Sequence, residues 1–238
     1  MEVKSLYREP EERADVSFGA LEFHDVFKIF RSGDVETVAL RGLDARIEPG
    51  ELVAMLGPSG SGKSTALHLA AGLDEPSAGD VRVFGRSLGR LTESELADHR
   101  AQDVAIVFQR GNLWPELSTR ANIAVPLRLA RRGVDIDAAV DRALALFDLQ
   151  ARDKQVASSL SGGEQQRVAV AAAAARSAKL VLADEPTAEL DVHNERAVLL
   201  AFQRLREQSG ATILIVTHSQ RVAEAVDRVV EIRDGAVA

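Results

Sequence analysis

The architecture of this chain is indicated most directly by one glycine-rich segment, Gly57-Pro58-Ser59-Gly60-Ser61-Gly62-Lys63-Ser64-Thr65. The apolar run at residues 51–56 has the length of a buried strand, and the apolar spacing from Lys63 to Ala71 predicts a helix. A strand, the pattern G-x-x-x-x-G-K-[ST] and a helix, in that order, form a loop that binds nucleotide phosphates. A glycine-serine turn that matched the pattern by accident would not be expected to have both flanking elements. The segment therefore predicts an α/β protein with a nucleotide site.

The glycine-rich loop contains the groups that a phosphate site needs. Glycines let backbone N–H groups converge on phosphate oxygens, and the start of the helix adds partial positive charge. We expect Lys63 to reach the β- and γ-phosphates, Ser64 to hold Mg²⁺ and Thr65 to bond another phosphate oxygen. The other predicted nucleotide-binding residues of the loop are Gly57, Pro58, Ser59, Gly60, Ser61 and Gly62.

Two acids end a second apolar run, at residues 179–184. A carboxylate at the carboxyl end of a parallel strand beside a phosphate loop can hold Mg²⁺ through water, which is the prediction for Asp184. Glu185 points to the opposite face and can polarise an attacking water. Acids before a proline, here Pro186, often only end a strand. The phosphate loop favours the catalytic interpretation of this pair.

Polar residues also follow two further predicted strands, at residues 104–108 and 211–216. His218 lies where strand ends meet a ligand in an open α/β sheet, and it can hydrogen-bond a γ-phosphate. Gln109 can coordinate Mg²⁺ or water and can move on its loop, although a glutamine after a strand usually has no such role. We expect the other four histidines to be structural or exposed, since none has a zinc-binding spacing.

A second anion site is predicted at Leu160-Ser161-Gly162-Gly163-Glu164. This segment comes just before a helical pattern at residues 164–176, so its amides form another helix start suited to anions. It is expected to contribute little to the phosphate loop of its own chain. Two copies related by a two-fold axis would let each nucleotide use both sites.

Together these segments resemble the ATP-binding cassette (ABC) ATPases in order and spacing, over residues 20–237. The resemblance implies a P-loop NTPase (RecA-like) fold: a mostly parallel sheet, an antiparallel β subdomain and an inserted helical subdomain. It also implies a homodimer that forms head to tail on binding ATP and Mg²⁺. Each ATP would lie on the phosphate loop of one subunit and be capped by Ser161 and Gly163 of the other.

The resemblance assigns roles to further residues. Phe30 corresponds to the aromatic that stacks on adenine, where tyrosine is commoner. The residues corresponding to those that act on the γ-phosphate or on Mg²⁺ are the Q-loop Gln109, the Mg²⁺ ligand Asp184, the catalytic base Glu185 and the switch histidine His218. Those implied at the dimer seam are Ser161, Gly162, Gly163, Glu164 and the D-loop Asp191.

Two positions depart from the family pattern. Glu189 is an acid where many members have a small or amide residue, and Ala172 stands where relatives usually have an arginine that braces neighbouring loops. The change at Ala172 is expected to loosen communication between the two nucleotide sites unless Arg176 replaces the brace. Neither position contacts phosphate, so we still expect an active ATPase.

The 238 residues suggest one ABC ATPase domain over residues 1–238. We expect a flexible tail at residues 1–18, a core at residues 19–108 and 177–238, and a helical subdomain at residues 109–176. Within the helical subdomain, helices are predicted around residues 119–131 and 137–149.

Composition limits the setting and the partners. The absence of cysteine suits a reducing compartment, and neither a signal peptide nor an apolar run long enough to span a membrane is recognised. The net charge of -7 argues against nucleic acid as a partner. A basic cluster of Arg128, Arg131 and Arg132 is more simply explained as a solvated helix end.

Finer resemblance favours one subgroup of ABC ATPases, those for lipoprotein release, macrolide export and cell division. It rests on Leu182-Ala183-Asp184-Glu185-Pro186-Thr187 and Asn112-Leu113-Trp114-Pro115, among other segments. The resemblance implies a cytoplasmic protein held at the inner face of the membrane by a permease, for export or for transmitting force. A soluble ABC ATPase, such as an iron–sulfur assembly partner, and an importer ATPase remain alternatives. Trp114 is either core filler or part of the permease-docking groove.

Overall fold

The computed structural model describes residues 18–33, 35–130 and 133–238. Apart from Phe18, the predicted tail at residues 1–18 lies outside the described residues, and so do Arg131 and Arg132 of the basic cluster.

The described residues form strands and helices that alternate through most of the chain. The strands are β1 (Leu21–Ser32), β2 (Val35–Ile47), β3 (Leu52–Leu56), β4 (Ala78–Val83), β5 (Arg86–Ser87), β6 (Val104–Val107), β7 (Leu180–Asp184), β8 (Thr212–Thr217), β9 (Arg228–Arg233) and β10 (Ala236–Val237). The helices are α1 (Lys63–Ala70), α2 (Glu93–Gln102), α3 (Thr119–Leu129), α4 (Ile136–Leu146), α5 (Gly162–Ala175), α6 (Val192–Ser209) and α7 (Gln220–Ala223).

A six-stranded sheet in the order β10-β9-β3-β8-β7-β6 carries the predicted site. Its strands are parallel except for β10, which pairs antiparallel with β9. In β3 and β8 every residue is buried, as expected for parallel strands covered on both faces. The carboxyl ends of β3, β7 and β8 therefore lie side by side, where their polar residues can meet one ligand.

A second sheet of four antiparallel strands, in the order β2-β1-β4-β5, packs beside the first. In β1, Leu21 pairs with Ile47 of β2 on one side and with Val83 of β4 on the other. The mostly parallel core and the antiparallel β unit agree with the fold predicted from the sequence.

The core is divided by the parallel sheet. Successive side chains of β3 point to opposite faces, so that Leu52 and Ala54 join one apolar cluster and Val53 and Met55 the other. The first cluster packs against the helices after β6, and the second fills the space between the sheet, α1 and the antiparallel strands. Both faces thus hold the strand that leads into the phosphate loop.

Between residues 109 and 176, the described residues form helices and one isolated bridge, Ser118 with Val156, but no strand. Helix α3 begins at Thr119 as predicted and ends at Leu129. Helix α4 spans Ile136–Leu146, so the expected end at residue 149 was too late. The chain turns at Asp148, whose φ is 57°, a conformation that a helix cannot continue.

The start of α5 also differs from the expectation. The sequence pattern placed the first helical residue at Glu164, whereas the helix begins at Gly162 with Ser161 as its N-cap. Ser161 Oγ accepts a hydrogen bond from the Glu164 N–H, and Glu164 in turn accepts one from the Ser161 N–H. This capping box stabilises a first turn that contains two glycines of low helix propensity.

Candidate nucleotide-binding and hydrolytic site

The phosphate loop connects β3 to α1 through backbone that requires glycine. Gly62, the N-cap of α1, has a φ of 99°. A Cβ there would lie 2.4 Å from the Ala39 carbonyl oxygen, and one at Gly57 would lie 2.2 Å from the Ile232 carbonyl oxygen. Gly60 also has a positive φ, of 82°. The loop is therefore tightly enclosed by β2 and β9, which leave no room for a side chain at Gly57 or Gly62.

Two polar side chains of the loop, those of Lys63 and Ser61, turn inward. Lys63 is buried, and its Nζ donates to the carbonyl oxygens of Gly57 at 2.8 Å and Pro58 at 2.9 Å. Ser61 Oγ is buried and has no hydrogen-bond partner within the described part of the chain. No side chain caps α1, and its first turn contains no acid. A phosphate group fits this arrangement, since it would supply acceptors for an ammonium, a hydroxyl and uncapped helix amides.

Ser64 and Asp184 meet across the gap between α1 and β7. Ser64 Oγ donates to Asp184 Oδ1 at 2.9 Å. Burial raises the pKa of the Asp184 carboxyl, while this hydrogen bond and the charge of His68 oppose the rise. Hydroxyl and carboxylate oxygens are the ligands that Mg²⁺ prefers, and Mg²⁺ usually takes only one or two from the protein. These two residues thus fit the predicted metal site.

Glu185 lies between β7 and the end of β8. Its Oε1 is 2.9 Å from His218 Nδ1, and its Oε2 accepts a hydrogen bond from Thr217 Oγ1 at 3.1 Å. The Glu185 φ is 46°, a left-handed conformation that costs a non-glycine residue about 1 kcal/mol. Such backbone occurs where the surrounding structure holds a side chain in a required direction. Here it joins the two residues predicted to act on water and on the γ-phosphate.

Gln109 is hydrogen-bonded to Glu189, one of the two positions that depart from the family pattern. Its Nε2 donates to Glu189 Oε1 at 3.2 Å, and the neighbouring Arg110 Nε donates to Glu189 Oε2 at 2.6 Å. The Gln109 carbonyl oxygen accepts a bond from Gln166 Nε2 at 2.7 Å. These hydrogen bonds tie the loop after β6 to Glu189 and to α5, and none of them joins Gln109 to the Mg²⁺-binding candidates.

A cavity of about 300 Å³ lies beside this ion pair. Its wall includes Gln109, Glu185 and Gly162, together with Glu189 and Leu190. The start of α5 therefore borders the same space as Glu185 within one chain, a proximity that the sequence did not predict. Residues of the phosphate loop are not part of this wall.

The segment at the start of α5 is fixed from two sides. Glu164, besides its part in the capping box, pairs with Arg152 at 2.7 Å, and the hydrogen bond from Arg152 is the main influence that lowers the pKa of Glu164. A Cβ at Gly163 would lie 2.5 Å from Asn194 Oδ1. Asn194 is in turn bonded to Asp191, the N-cap of α6. Gly163 is needed because α5 and the first turn of α6 approach closely there.

Phe30 lies on β1 of the antiparallel sheet and is exposed over 44% of its surface. The Nζ of Lys28 is 5.1 Å from the centroid of its ring and is also bonded to Asp74 at 2.6 Å. The remaining ring surface can stack on a planar group, as the resemblance implies for adenine.

The residue considered as the replacement brace for Ala172 is Arg176, at the C-cap of α5. Ala172 is buried in α5 among the apolar cluster of the helices. Arg176 Nη2 donates to the carbonyl oxygens of Arg100, at 3.1 Å, and Val104. Arg176 therefore links the end of α5 to α2 and to the start of β6.

Three residues of this region were not predicted from the sequence. These residues are Thr217, Arg110 and Glu195, to which the sequence patterns assign no role. Arg110 could have been suspected from its position next to Gln109 with an acid at residue 189. No local signal distinguishes Glu195, because its partners lie on other loops.

Known proteins share both the sequence and the architecture. Residues 40–188 match the family model described as ABC transporter. The macrolide export ATP-binding/permease protein MacB of Syntrophobacter fumaroxidans is 40% identical over 220 residues, which are 91% of this chain and 31% of that protein. The lipoprotein-releasing system ATP-binding protein LolD of Anaeromyxobacter dehalogenans is 40% identical over 93% of this chain and 94% of its own length.

The chain thus spans about a third of the length of the MacB relatives and nearly all of LolD. Among solved structures, a dimeric post-hydrolysis state of the ATP-binding cassette MJ0796, bound to ADP and phosphate, superposes with a TM-score of 0.83 at 33% identity. That match covers 91% of this chain and 96% of the cassette. In the part of the chain that the structure describes, no helix combines the length and apolar character needed to cross a bilayer.

These matches confirm the predicted fold and the resemblance to the macrolide-export and lipoprotein-release proteins. The family model alone covers more than half of the sequence. On this evidence, the chain belongs to the ABC transporter family.

Proposed function

We propose that this chain is the ATP-hydrolysing subunit of an ABC transporter that drives a permease of the lipoprotein-release or macrolide-export type. One observation carries the proposal: Glu185 is held by Thr217 and His218 beside a phosphate loop whose Ser64 already contacts Asp184. A hydrolase needs these components together: a phosphate cradle, a metal ligand pair and an oriented base.

Binding of the nucleotide uses the phosphate loop and Phe30. Lys63 exchanges its carbonyl partners for phosphate oxygens, and Ser61 gains a partner for its buried hydroxyl. Ser64 and Asp184 would hold Mg²⁺, with Gln109 as a further ligand once it leaves Glu189. Bound Mg²⁺ supplies neutralisation of the charge that develops on the phosphate oxygens. Phe30 stacks on the adenine ring.

Hydrolysis depends on Glu185. Its carboxylate orients a water and accepts its proton, while Thr217 and His218 fix the direction of that carboxylate. His218 is exposed over 57% of its side chain, so its second ring nitrogen is accessible to a γ-phosphate. Proton transfer by a positioned group of this kind contributes typically about 10²- to 10⁴-fold to a rate.

The ATP-bound protein forms a head-to-tail homodimer. Ser161, Gly162 and Gly163 at the start of α5 meet the γ-phosphate held by the other copy, and Glu164 and Asp191 fix that segment. The γ-phosphate favours the closed dimer because it binds both copies, and its loss on hydrolysis removes that bridge.

The permease holds the dimer at the inner face of the cell membrane, and the net charge of -7 argues against nucleic acid as its partner. We place the docking surface at Trp114, which is exposed over 47% of its surface rather than buried in the core. The Asn122 amide binds the carbonyl oxygens of Trp114, Leu117 and Ser118, so the loop presents Trp114 rigidly. The subdomain at residues 109–176 would transmit movement between this surface and the core.

The docking surface can be tested with a photo-crosslinking side chain at Trp114 in the intact complex. We expect crosslinks to the permease from this position and none from Leu73, an equally exposed apolar residue used as the control. Crosslinks from Leu73 but not from Trp114 would contradict the assignment.

The catalytic assignment is tested with Glu185→Gln. The amide keeps the size of the side chain but cannot accept the proton, so we expect ATP to bind normally while hydrolysis falls by about 10²-fold or more. With ATP present, the variant should accumulate as a dimer in light scattering, whereas the wild type returns to monomer. Native turnover by Glu185→Gln would show that another group is the base.

A further inference from the structure

Glu195 is a buried carboxylate outside the residues already assigned to the reaction. It lies in the first turn of α6 and is 7% exposed. A buried carboxylate is costly unless its oxygens are bonded, so its partners show what it does. Those partners lie on the loop after β7, on the loop after β8 and on α7.

The two oxygens of Glu195 are bonded to different parts of the chain. Oε1 accepts hydrogen bonds from Ser219 Oγ at 3.0 Å and from Thr187 Oγ1 at 3.5 Å. Oε2 accepts a bond from Arg221 Nη1 at 2.9 Å. Thr187 itself is buried, which keeps water from replacing this contact easily. One carboxylate thus ties three side chains together.

The bonded residues are close neighbours of the proposed catalytic pair. Ser219 directly follows His218, and Thr187 comes two residues after Glu185. The Ser219 N–H also donates to Thr217 Oγ1 at 3.0 Å, the same hydroxyl that donates to Glu185. A continuous series of bonds therefore runs from Glu195 through Ser219 and Thr217 to the carboxylate of Glu185.

The conformation of Ser219 supports a dedicated role for this contact. Ser219 is the N-cap of α7, a position where a serine side chain ordinarily caps the helix. No side-chain capping bond is made there, and the hydroxyl donates to Glu195 instead. The Ser219 hydroxyl therefore bonds α6 instead of capping its own helix.

We propose that Glu195 is a positioning residue that sets the distance between Glu185 and His218; this inference rests on the proposed function. By holding the loops after β7 and β8 together, Glu195 keeps the base oriented toward the place where water attacks. Small displacements of such groups reduce turnover strongly. Glu195 does not touch the phosphate loop, so it affects the chemical step rather than nucleotide binding.

The test compares Glu195→Ala, Glu195→Gln and Ser219→Ala. We expect Glu195→Ala to lower kcat for ATP hydrolysis by about tenfold. The KM for ATP should stay within about twofold, because binding groups are unchanged. Glu195→Gln should recover most of kcat, since its amide oxygen can still accept from Ser219. Ser219→Ala, which removes only one bond, should give an intermediate fall.

A matched control on the same helix is Arg206→Gln. It breaks an ion pair between α6 and Asp227, away from the catalytic loops, and should lower Tm without changing kcat. A spectroscopic measurement complements activity: the ring signals of His218 in ¹⁵N-histidine NMR should move in Glu195→Ala and Ser219→Ala but not in Arg206→Gln.

Unchanged kcat and unchanged His218 signals in Ser219→Ala and Glu195→Ala would overturn the inference. If Glu195→Ala does not fold, Ser219→Ala decides alone by the same two measurements. A parallel fall of kcat in Arg206→Gln would show a general stability effect and also overturn it. The Glu185→Gln variant separates the hypotheses: native turnover there contradicts the proposed function, whereas loss there with normal Glu195 variants contradicts only this inference.

Discussion

Helices α1 and α5 both begin at a segment of serine and glycine, yet their first turns differ in what binds them. The N-cap of α1 is Gly62, which has no side chain to bond the helix amides, and the first turn contains Lys63 and no acid. The N-cap of α5 is Ser161, whose hydroxyl accepts from the amide of Glu164, and Glu164 places a carboxylate at the helix start.

The difference indicates that two helix starts of similar sequence bind a phosphate in different ways. In α1 neither a side-chain cap nor an acid of the first turn occupies the positive end of the helix. A single chain can therefore bind an anion there. In α5 the carboxylate of Glu164 already lies at the positive end of the helix, and Arg152 pairs with it. Ser161 keeps one hydrogen that it can donate, which suits a helix start that meets a phosphate already held elsewhere.

The largest effect on ATP hydrolysis is expected from Lys63→Ala, at the start of α1. Removing the only charged side chain of the α1 start should reduce ATP hydrolysis by about 10²-fold or more, because the phosphates lose their direct cation. Steady-state hydrolysis and binding of a fluorescent ATP analogue measure the loss. Lys179→Ala is the control, since that lysine is exposed and pairs with Asp103. Equal activity of the two variants would mean that the α1 start does not bind phosphate.

A smaller effect is expected from Glu164→Ala at the start of α5. Loss of the reciprocal cap should lower the free energy of unfolding by about 1 kcal/mol, while binding of ATP to the single chain stays unchanged. Glu164→Gln is the matched control, because glutamine retains the capping acceptor but not the pair with Arg152. Denaturant unfolding and nucleotide titration check both parts. Weakened ATP binding by the monomer would contradict the separate roles of the two helix starts.

The ionised state of Glu164 makes this effect depend on pH. The folded pKa lies below the ordinary value of 4.5, chiefly because of the hydrogen bond from Arg152. The carboxylate therefore adds stability at pH values above 4.5, and that contribution is lost as the pH falls through the lower folded pKa. The stability difference between wild type and Glu164→Gln should be full at neutral pH and shrink below 4.5. A difference that grew toward acid would contradict the ion pair.

The same comparison shows what the sequence could and could not predict. Strands β3, β7 and β8 were located within a residue or so because short apolar runs and the adjoining motif are local signals. The start of α5 was misplaced because Gly162 and Gly163 argue against helix, while the capping pair three residues apart, a readable signal, was not used. The contacts of Glu189 and Glu195 join segments distant in the chain, and no local pattern specifies which loops meet.

The smallest effect is expected from Glu189→Gln. Glu189 lines the cavity that the start of α5 also borders. The pair between Arg110 and Glu189 is exposed, so its loss should change the free energy of unfolding by no more than about 1 kcal/mol. Without its charge, the side chain at residue 189 binds Arg110 and Gln109 less tightly. Gln109 can then turn toward the Mg²⁺-binding residues more readily, and we expect hydrolysis to rise by no more than about fivefold. The Arg31 partner, Glu36, provides a control in Glu36→Gln, since that pair is equally exposed and lies on the antiparallel sheet. A fall in hydrolysis in Glu189→Gln alone would mean that the ion pair supports the active arrangement, with Gln109 already in its working position.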